Sequence, residues 1–426
     1  MDFLFWSKAK MAGSIIGLPE KILKRFSNLY NRVVYWLHVH FLVWYDRLAT
    51  APGKRVHGWL LHRKGIELID AHTSHIGHAA AHTDYLLKKL VLERVETRVL
   101  LHVYPPARNN RRWRRDRYPN NYLQKLWQNH FGMMTGSVSH HVLHPVMWTE
   151  KGEPRGRGHR LGDDYPILSR KAGRQLQIPL GDMERGRKML SELGVEPGAW
   201  FFCFYARDPF YKAEGSYNYR NCDIRALIPS VQYLTAAGGW GIRVGSPESS
   251  DFPAMDRVID YPHCPYRSDF MDVFLAASNR FFLGSTGGIC DLARCVFHAK
   301  TIFHNFIPLS QRHWKWLTDE TVFIPKLLWL NESGRYMTFQ ELFDSGASEY
   351  FSSEQYSLAG ISIHDNTPED ILALTEEVFL RKAGLWSPNE DDKRRQAEFR
   401  KLISKYCSYE LADFRIGDGF LRKYES

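Results

Sequence analysis

Arg280-Phe281-Phe282-Leu283-Gly284-Ser285-Thr286-Gly287-Gly288 is the stretch from which the rest of the chain can be read. A short apolar run, Arg280–Leu283, meets a turn of Gly, Ser and Thr, and a helical pattern opens at Gly288 and runs to Phe297. Glycines let a backbone come close to a partner, and a helix N-terminus offers unpaired N–H groups to an anion. The Ser285 and Thr286 hydroxyls can add hydrogen bonds. No lysine follows the glycines, so this is neither a Walker A loop nor a GxGxxG fingerprint. A purely structural turn is the plainer alternative.

The same strand–turn–helix pattern repeats on both sides. Strands are predicted at Trp200–Tyr205, Trp240–Val244, Arg257–Tyr261 and Lys300–His304, with helices at Asp223–Ala237 and Asp269–Ser278 between them. Strands alternating with helices of this length imply a parallel sheet with helices on both faces. Upstream, Gly65–Asp70 and Thr97–Tyr104 read as strands, and 79–92, 120–130 and 182–193 as helices, while 135–175 resists assignment. Pro197-Gly198 reads as a hinge. The expected fold class is therefore α/β, with two Rossmann-like lobes at 65–196 and 197–385. Thr367 caps a helix that has Pro368 at its first position and ends before Gly384. A charged helix at 389–406 dominates a C-terminal tail, 386–426.

Ligands of open α/β sheets bind beyond the C-terminal ends of the strands. There the sequence places Ala206-Arg207-Asp208, then Tyr219-Arg220-Asn221-Cys222-Asp223, and then Arg243-Val244-Gly245. A guanidinium grips phosphate in a fork, although salt-bridged arginines of a surface loop would look the same. Arg243 lies inside an apolar strand and needs a partner, either a structural carboxylate or a ligand phosphate. Ser268 and Asp269 open a helix, and an N-cap followed by a first-turn acid explains them without a ligand. His72, His75, His78 and His82 crowd one segment, but no HExxH is present. A turn at Gly77 with His78 near a helix start, facing the cleft, suits them better than zinc.

The chain has 426 residues, 44% hydrophobic and 24% charged, which excludes a wholly disordered or collagen-like protein. Its net charge of +10 is uneven: residues 1–64 hold 11 Lys+Arg against 3 acids, so +8 sits there and +2 in the other 362 residues. That segment mixes Phe, Trp, Ile and Leu with lysines, as an interfacial amphipathic helix does. A helix pair packed on the body of the protein or on a second subunit is the alternative. The longest apolar run there, Val33–Tyr45, is 13 residues, short of the roughly 18–20 that span a bilayer. The six arginines of 108–117 around Trp113 read as an anionic acceptor or headgroup surface, or as a solvated loop. No nucleic-acid module accompanies them. None of the six cysteines forms CxxC, which suits a reducing, cytoplasmic setting.

Taken together, several motifs resemble a family of bacterial glycosyltransferases of the GT-B type. They are His75-Ile76-Gly77-His78, Tyr205-Ala206-Arg207-Asp208, Tyr219-Arg220-Asn221-Cys222-Asp223-Ile224, Arg243-Val244-Gly245, Ser268-Asp269-Phe270-Met271-Asp272, Phe281 to Gly288, and Asp365-Asn366-Thr367-Pro368-Glu369-Asp370. The likeness covers about residues 65–385. A weaker one exists to fucosyltransferase-type enzymes, where Tyr-x-Arg-Asn here replaces His-x-Arg-Arg. The resemblance implies a nucleotide-sugar donor in the C-terminal lobe and a glycan or lipid-linked acceptor at the N-terminal lobe; the basic segment 1–64, which lies outside the likeness, adds the expectation of work at the cytoplasmic face of the inner membrane. Expected donor contacts are Arg207, Arg220, Asn221, Arg243, Gly245, Ser268, Asp269, Ser285, Thr286, Gly287 and Gly288. Expected acceptor-side residues are His75, Gly77 and Asp84. A transfer with inversion needs a base on the acceptor hydroxyl. Asp208 and His78 come first, then His75 and Asp84. No D-x-D occurs, which suits a site without metal or cofactor, the nucleotide-sugar being a co-substrate. A nucleotide-sugar epimerase of the same fold, or a non-enzymatic scaffold of a polysaccharide assembly complex, is the competing reading.

Overall fold

A computed structural model describes residues 66–71, 75–94, 98–103, 118–135, 161–208, 215–319 and 321–424. The basic segment 1–64 and the arginine run 108–117 lie outside these residues. Three early strands, β1 (Ile66–Ala71), β2 (Arg98–Val103) and β3 (Gly132–Thr135), form a sheet in the order β1-β2-β3. Ten more follow: β4 (Phe201–Tyr205), β5 (Trp240–Arg243), β6 (Val258–Asp260), β7 (Phe281–Gly284), β8 (Thr301–Phe306), β9 (Val322–Pro325), β10 (Leu327–Leu330), β11 (Arg335–Tyr336), β12 (Ile361–His364) and β13 (Arg415–Ile416).

Seven of them make one sheet in the order β13-β9-β8-β7-β4-β5-β6, with every pair parallel. The chain starts in the middle at β4, runs outward through β5 and β6, then returns to the other side of β4 with β7. This is a doubly wound α/β sheet, and its order reverses between β4 and β7. The residues of β7, β8 and β9 are buried throughout, as parallel strands covered on both faces must be. Strands β10, β11 and β12 form a small antiparallel sheet.

The described residues fall into two compact units. One carries β1–β3, and the other takes in the described residues of 71–96, 117–132 and 158–426. The helices Ile76–Leu92, Asn121–Trp127, Tyr165–Ala172 and Leu180–Glu192 thus group with the seven-stranded sheet, although the sequence places them before the hinge at 197. Ala81 and Tyr85 of the first helix share a core with Leu161, Tyr165 and Cys295. The last stretch, read as a helical tail, also supplies the edge strand β13. Arg415 on it donates to Asp392 at 2.7 Å, tying it to the helix Glu390–Ser404. The helix expected at Gly288–Phe297 is one α-turn, Gly288–Asp291, followed by a π-helical turn, Leu292–Val296. All six cysteines are free thiols, and burial pushes that of Cys295 up to about 12. Among the described residues, no helix is long and apolar enough to cross a membrane.

Candidate functional site

The C-terminal ends of β4 and β7 are neighbours, with Tyr205 opposite Gly284. They deliver Ala206-Arg207-Asp208 and Ser285-Thr286-Gly287 to the crevice where the strand order reverses. The Ser285 Oγ accepts a hydrogen bond from the Arg207 backbone N–H at 2.9 Å, clamping the two turns together. The segment ending at Arg220 is folded back on the same place, because the Cys222 N–H donates to the Arg207 carbonyl at 3.0 Å. Arg220 Nε then reaches Thr286 Oγ1 at 3.4 Å. A cavity of 680 Å³ opens in front of these turns, large enough for a small organic ligand.

This cavity gathers many of the residues expected from sequence. His75, Gly77 and His78 line it, as do Arg207, Asp208, Arg220 and Gly245, and so do Thr286, Gly287 and Gly288. The glycines have a packing cause that the sequence did not reveal. A Cβ on Gly287 would sit 2.6 Å from the Tyr205 ring, and one on Gly77 would sit 2.9 Å from the Gly288 Cα. They let β4 and the helix Ile76–Leu92 close onto the turn, which gives the structural alternative for these glycines a specific packing cause. Gly77 lies within that helix, and His75 is its N-cap residue.

Several expected residues have other employment. Asp84 is wholly buried, 2.7 Å from Lys88 Nζ and 3.0 Å from the Tyr165 hydroxyl that donates to it, so it is a core ion-pair member and not an acceptor contact. Burial raises its pKa to about 6 against the opposing pull of Lys88. Arg243 is nearly buried and donates to both oxygens of Asp260 at 3.1 Å, so its partner is a structural carboxylate. Ser268 Oγ caps its helix by accepting from the Met271 N–H at 3.2 Å. Asp269 accepts from the N–H and side chain of Asn121, at 2.8 and 2.6 Å, and so holds the start of the helix Asn121–Trp127. Asn221 borders a neighbouring cavity of 350 Å³, shared with Asp208 and Arg243. Its carbonyl takes Lys326 Nζ at 2.5 Å.

The two favoured bases differ in chemistry. Asp208 Oδ2 accepts from both the N–H and the hydroxyl of Ser250 at 3.0 Å. His78 is constrained by its neighbour. The Leu161 N–H donates to His82 Nδ1 at 2.7 Å, so neutral His82 carries its proton on Nε2. That nitrogen lies 2.9 Å from His78 Nδ1 and must donate to it, which leaves the His78 proton on Nε2. Neutral His78 is thereby a hydrogen-bond donor at Nε2, which removes the basic lone pair that the sequence reading required of it.

Other lining residues were missed: Arg267, Asp272, Asp291, Arg294, Arg312 and His313. Only Arg294 carried a usable signal, as a charge inside the apolar run Leu292-Ala293-Arg294-Cys295-Val296. Burial pushes the carboxyls of Asp272 and Asp291 up, while Tyr261 and Arg294 respectively pull them back. His313 is pushed down to about 3 by burial and by nearby Arg220, Arg294 and Arg312, so it is neutral. Its Nδ1 pairs with the Ser310 hydroxyl at 2.8 Å.

No family model matches the chain, and no curated protein sequence matches it. Among solved structures, it is similar to the glycosyl transferase family 9 protein from Veillonella parvula DSM 2008, at 9% identity over 74% of this chain and 97% of that one, with a TM-score of 0.44. It is also similar to the E. coli ADP-heptose LPS heptosyltransferase II, at 14% identity over 75% of this chain and 99% of that one, with a TM-score of 0.41.

Proposed function

We propose that the protein is a glycosyltransferase that takes a sugar from a nucleotide-sugar donor bound in the 680 Å³ cavity. The observation that carries this reading is the convergence of Arg207, Arg220 and Thr286 at the point where the parallel sheet reverses its order. Arginines there offset the charge that builds on a departing nucleoside diphosphate, which is electrostatic stabilisation of the transition state. Asp208 is the base we assign to the acceptor hydroxyl. Neutral His78, as an Nε2–H donor, orients an oxygen of acceptor or donor. The acceptor is a glycan or lipid-linked sugar, which rests on the family resemblance, and residues 1–64 bring the enzyme to an anionic membrane surface, which rests on their sequence pattern alone.

The test is a thermal-shift screen of the full chain against UDP-, GDP-, CMP- and dTDP-sugars, since a bound donor raises Tm by mass action. Arg220→Ala should abolish the shift without lowering the unliganded Tm by more than a few degrees. A shift that survives Arg220→Ala, or no shift with any donor, refutes the assignment. Conversion of the sugar with no acceptor present would show an epimerase instead.

A further inference from the structure

We propose that Arg294 is a ligand-binding residue of this cavity, one that holds a phosphate oxygen of a diphosphate-bearing ligand through guanidinium N–H groups that no described residue accepts from. The inference deepens the nucleotide-sugar reading and rests on it for the identity of the ligand. Its own support is the way this one side chain is held.

Arg294 sits in the π-helical turn Leu292–Val296, whose other four members are fully buried core residues. Such wide turns recur at functional sites because they re-aim a side chain out of the regular helical register. The Arg294 side chain is 2% exposed, yet the residue lines the cavity. Its Nη2 donates to Asp291 Oδ1 at 2.7 Å, and its guanidinium lies over the Phe303 ring at 5.0 Å. These contacts fix the plane of the guanidinium. Nε and Nη1 are buried and have no hydrogen-bond partner among the described residues. A guanidinium has five N–H donors in a rigid fork, and a buried charge with donors unpaired is destabilising. Among the described residues, no other arginine has two buried nitrogens in this condition.

The surrounding charge favours an anion. Arg207, Arg220, Arg267, Arg294 and Arg312 line the cavity against Asp208, Asp272 and Asp291, which leaves an excess of two positive charges. The three carboxylates are already engaged, by Ser250, by the Tyr261 hydroxyl at 2.8 Å and by Arg294 itself. His313 contributes no charge near neutral pH. A doubly negative diphosphate matches this balance, and a hydrogen bond from a charged guanidinium N–H to a phosphate oxygen is a strong one.

The competing explanation is that Arg294 serves only as the structural partner of Asp291. Calorimetric titration of the full chain with inorganic pyrophosphate and with UDP, GDP, CDP and dTDP separates the two. Arg294→Met should weaken the tightest of these ligands about 10- to 100-fold, the loss of charge-assisted hydrogen bonds, with the circular dichroism spectrum unchanged. Asp291→Asn should tighten binding several-fold, because it removes the nearest negative charge. If Arg294→Met does not fold, Arg294→Lys keeps the charge but loses the planar guanidinium and its fixed donors, and should bind at least about 5-fold more weakly. Wild-type affinity in whichever Arg294 variant folds overturns the proposal. So does Asp291→Asn weakening the ligand. Loss of binding in Arg220→Ala with Arg294→Met unaffected overturns it while leaving the nucleotide reading intact. Arg294-dependent binding of pyrophosphate with no nucleoside diphosphate bound supports it and overturns the nucleotide reading. No binding of any of these anions overturns both.

Discussion

Lys88→Met should unfold the protein far more readily above pH 6 than below it. Lys88 and Asp84 are both fully buried and 2.7 Å apart. Lys88 Nζ also donates to Ser169 Oγ at 3.1 Å and to the Cys295 carbonyl at 3.2 Å, and pairs with His298 Nε2 at 2.9 Å. It therefore joins the helices Ile76–Leu92 and Tyr165–Ala172 to the π-helical turn. Removing one member of a buried pair costs about 3–5 kcal/mol, because it strands the other charge. Asp84 escapes that penalty by taking up a proton. With Lys88 present, its folded pKa is already about 6, above the unfolded 3.8, because burial outweighs the lysine. Without Lys88 it rises further. Above pH 6 the variant's folded state keeps a proton that its unfolded state and folded wild type have both released. Stability relative to wild type then falls by about 1.4 kcal/mol per pH unit as pH rises, until the variant's own pKa is passed. Below pH 6 both folded proteins hold that proton, and the difference levels off. Urea denaturation of both proteins at pH 5, 6, 7 and 8 measures this. Adding Asp84→Leu should recover most of the loss at pH 8. A cost under about 1 kcal/mol at pH 8, or the same cost at pH 6 and 8, refutes the reasoning and reopens Asp84 as a reacting group.

Other outcomes follow from the same geometry. Gly77→Ala should destabilise by about 1–3 kcal/mol through overpacking, less up to about 1 kcal/mol of helix propensity, since its Cβ would meet the Gly288 Cα at 2.9 Å; chemical denaturation measures it, and a stabilised variant contradicts the close approach. His304 is fully buried and held down to about 3, so its contribution to stability is present above pH 6.5 and is lost as pH falls toward 3. His304→Gln should therefore make the fall in stability between pH 6 and 4 shallower by about 1.4 kcal/mol per unit, and an unchanged slope counts against a neutral buried imidazole. Deleting residues 1–50 should abolish sedimentation with anionic vesicles, and equal sedimentation of both forms rules out the membrane role of that segment.

The strand–helix alternation of the second half was legible because parallel strands are continuous apolar runs. Phe201–Tyr205, Phe281–Gly284 and Asp269–Ser278 fall within a residue of where the sequence puts them. The stretch 301–366 was less so. Only Lys326 parts β9 from β10, so the two run together as one apolar stretch with no helix between them to mark where a strand ends. Ser268 and Asp269 carried their structural explanation in sequence as cap and first-turn acid, and that explanation stands. Asp84 could not be judged from sequence, because a carboxylate on a helix looks the same whether it faces a cleft or a lysine one turn away.

The sequence by itself determined the strand–helix alternation between residues 200 and 304, and that arginines and a Gly/Ser/Thr turn follow strands. Those are local properties, set by side-chain period, caps and turn residues. Only the tertiary structure decided that β4 and β7 are neighbours, although about eighty residues of chain part them, so that Arg207 and Ser285 meet. Only it separated Arg243, neutralised by Asp260, from Arg294, whose charge is half satisfied by Asp291. Strand order and burial are settled by how whole faces pack together, and one residue's role in binding depends on which partners that packing brings within 3 Å of it.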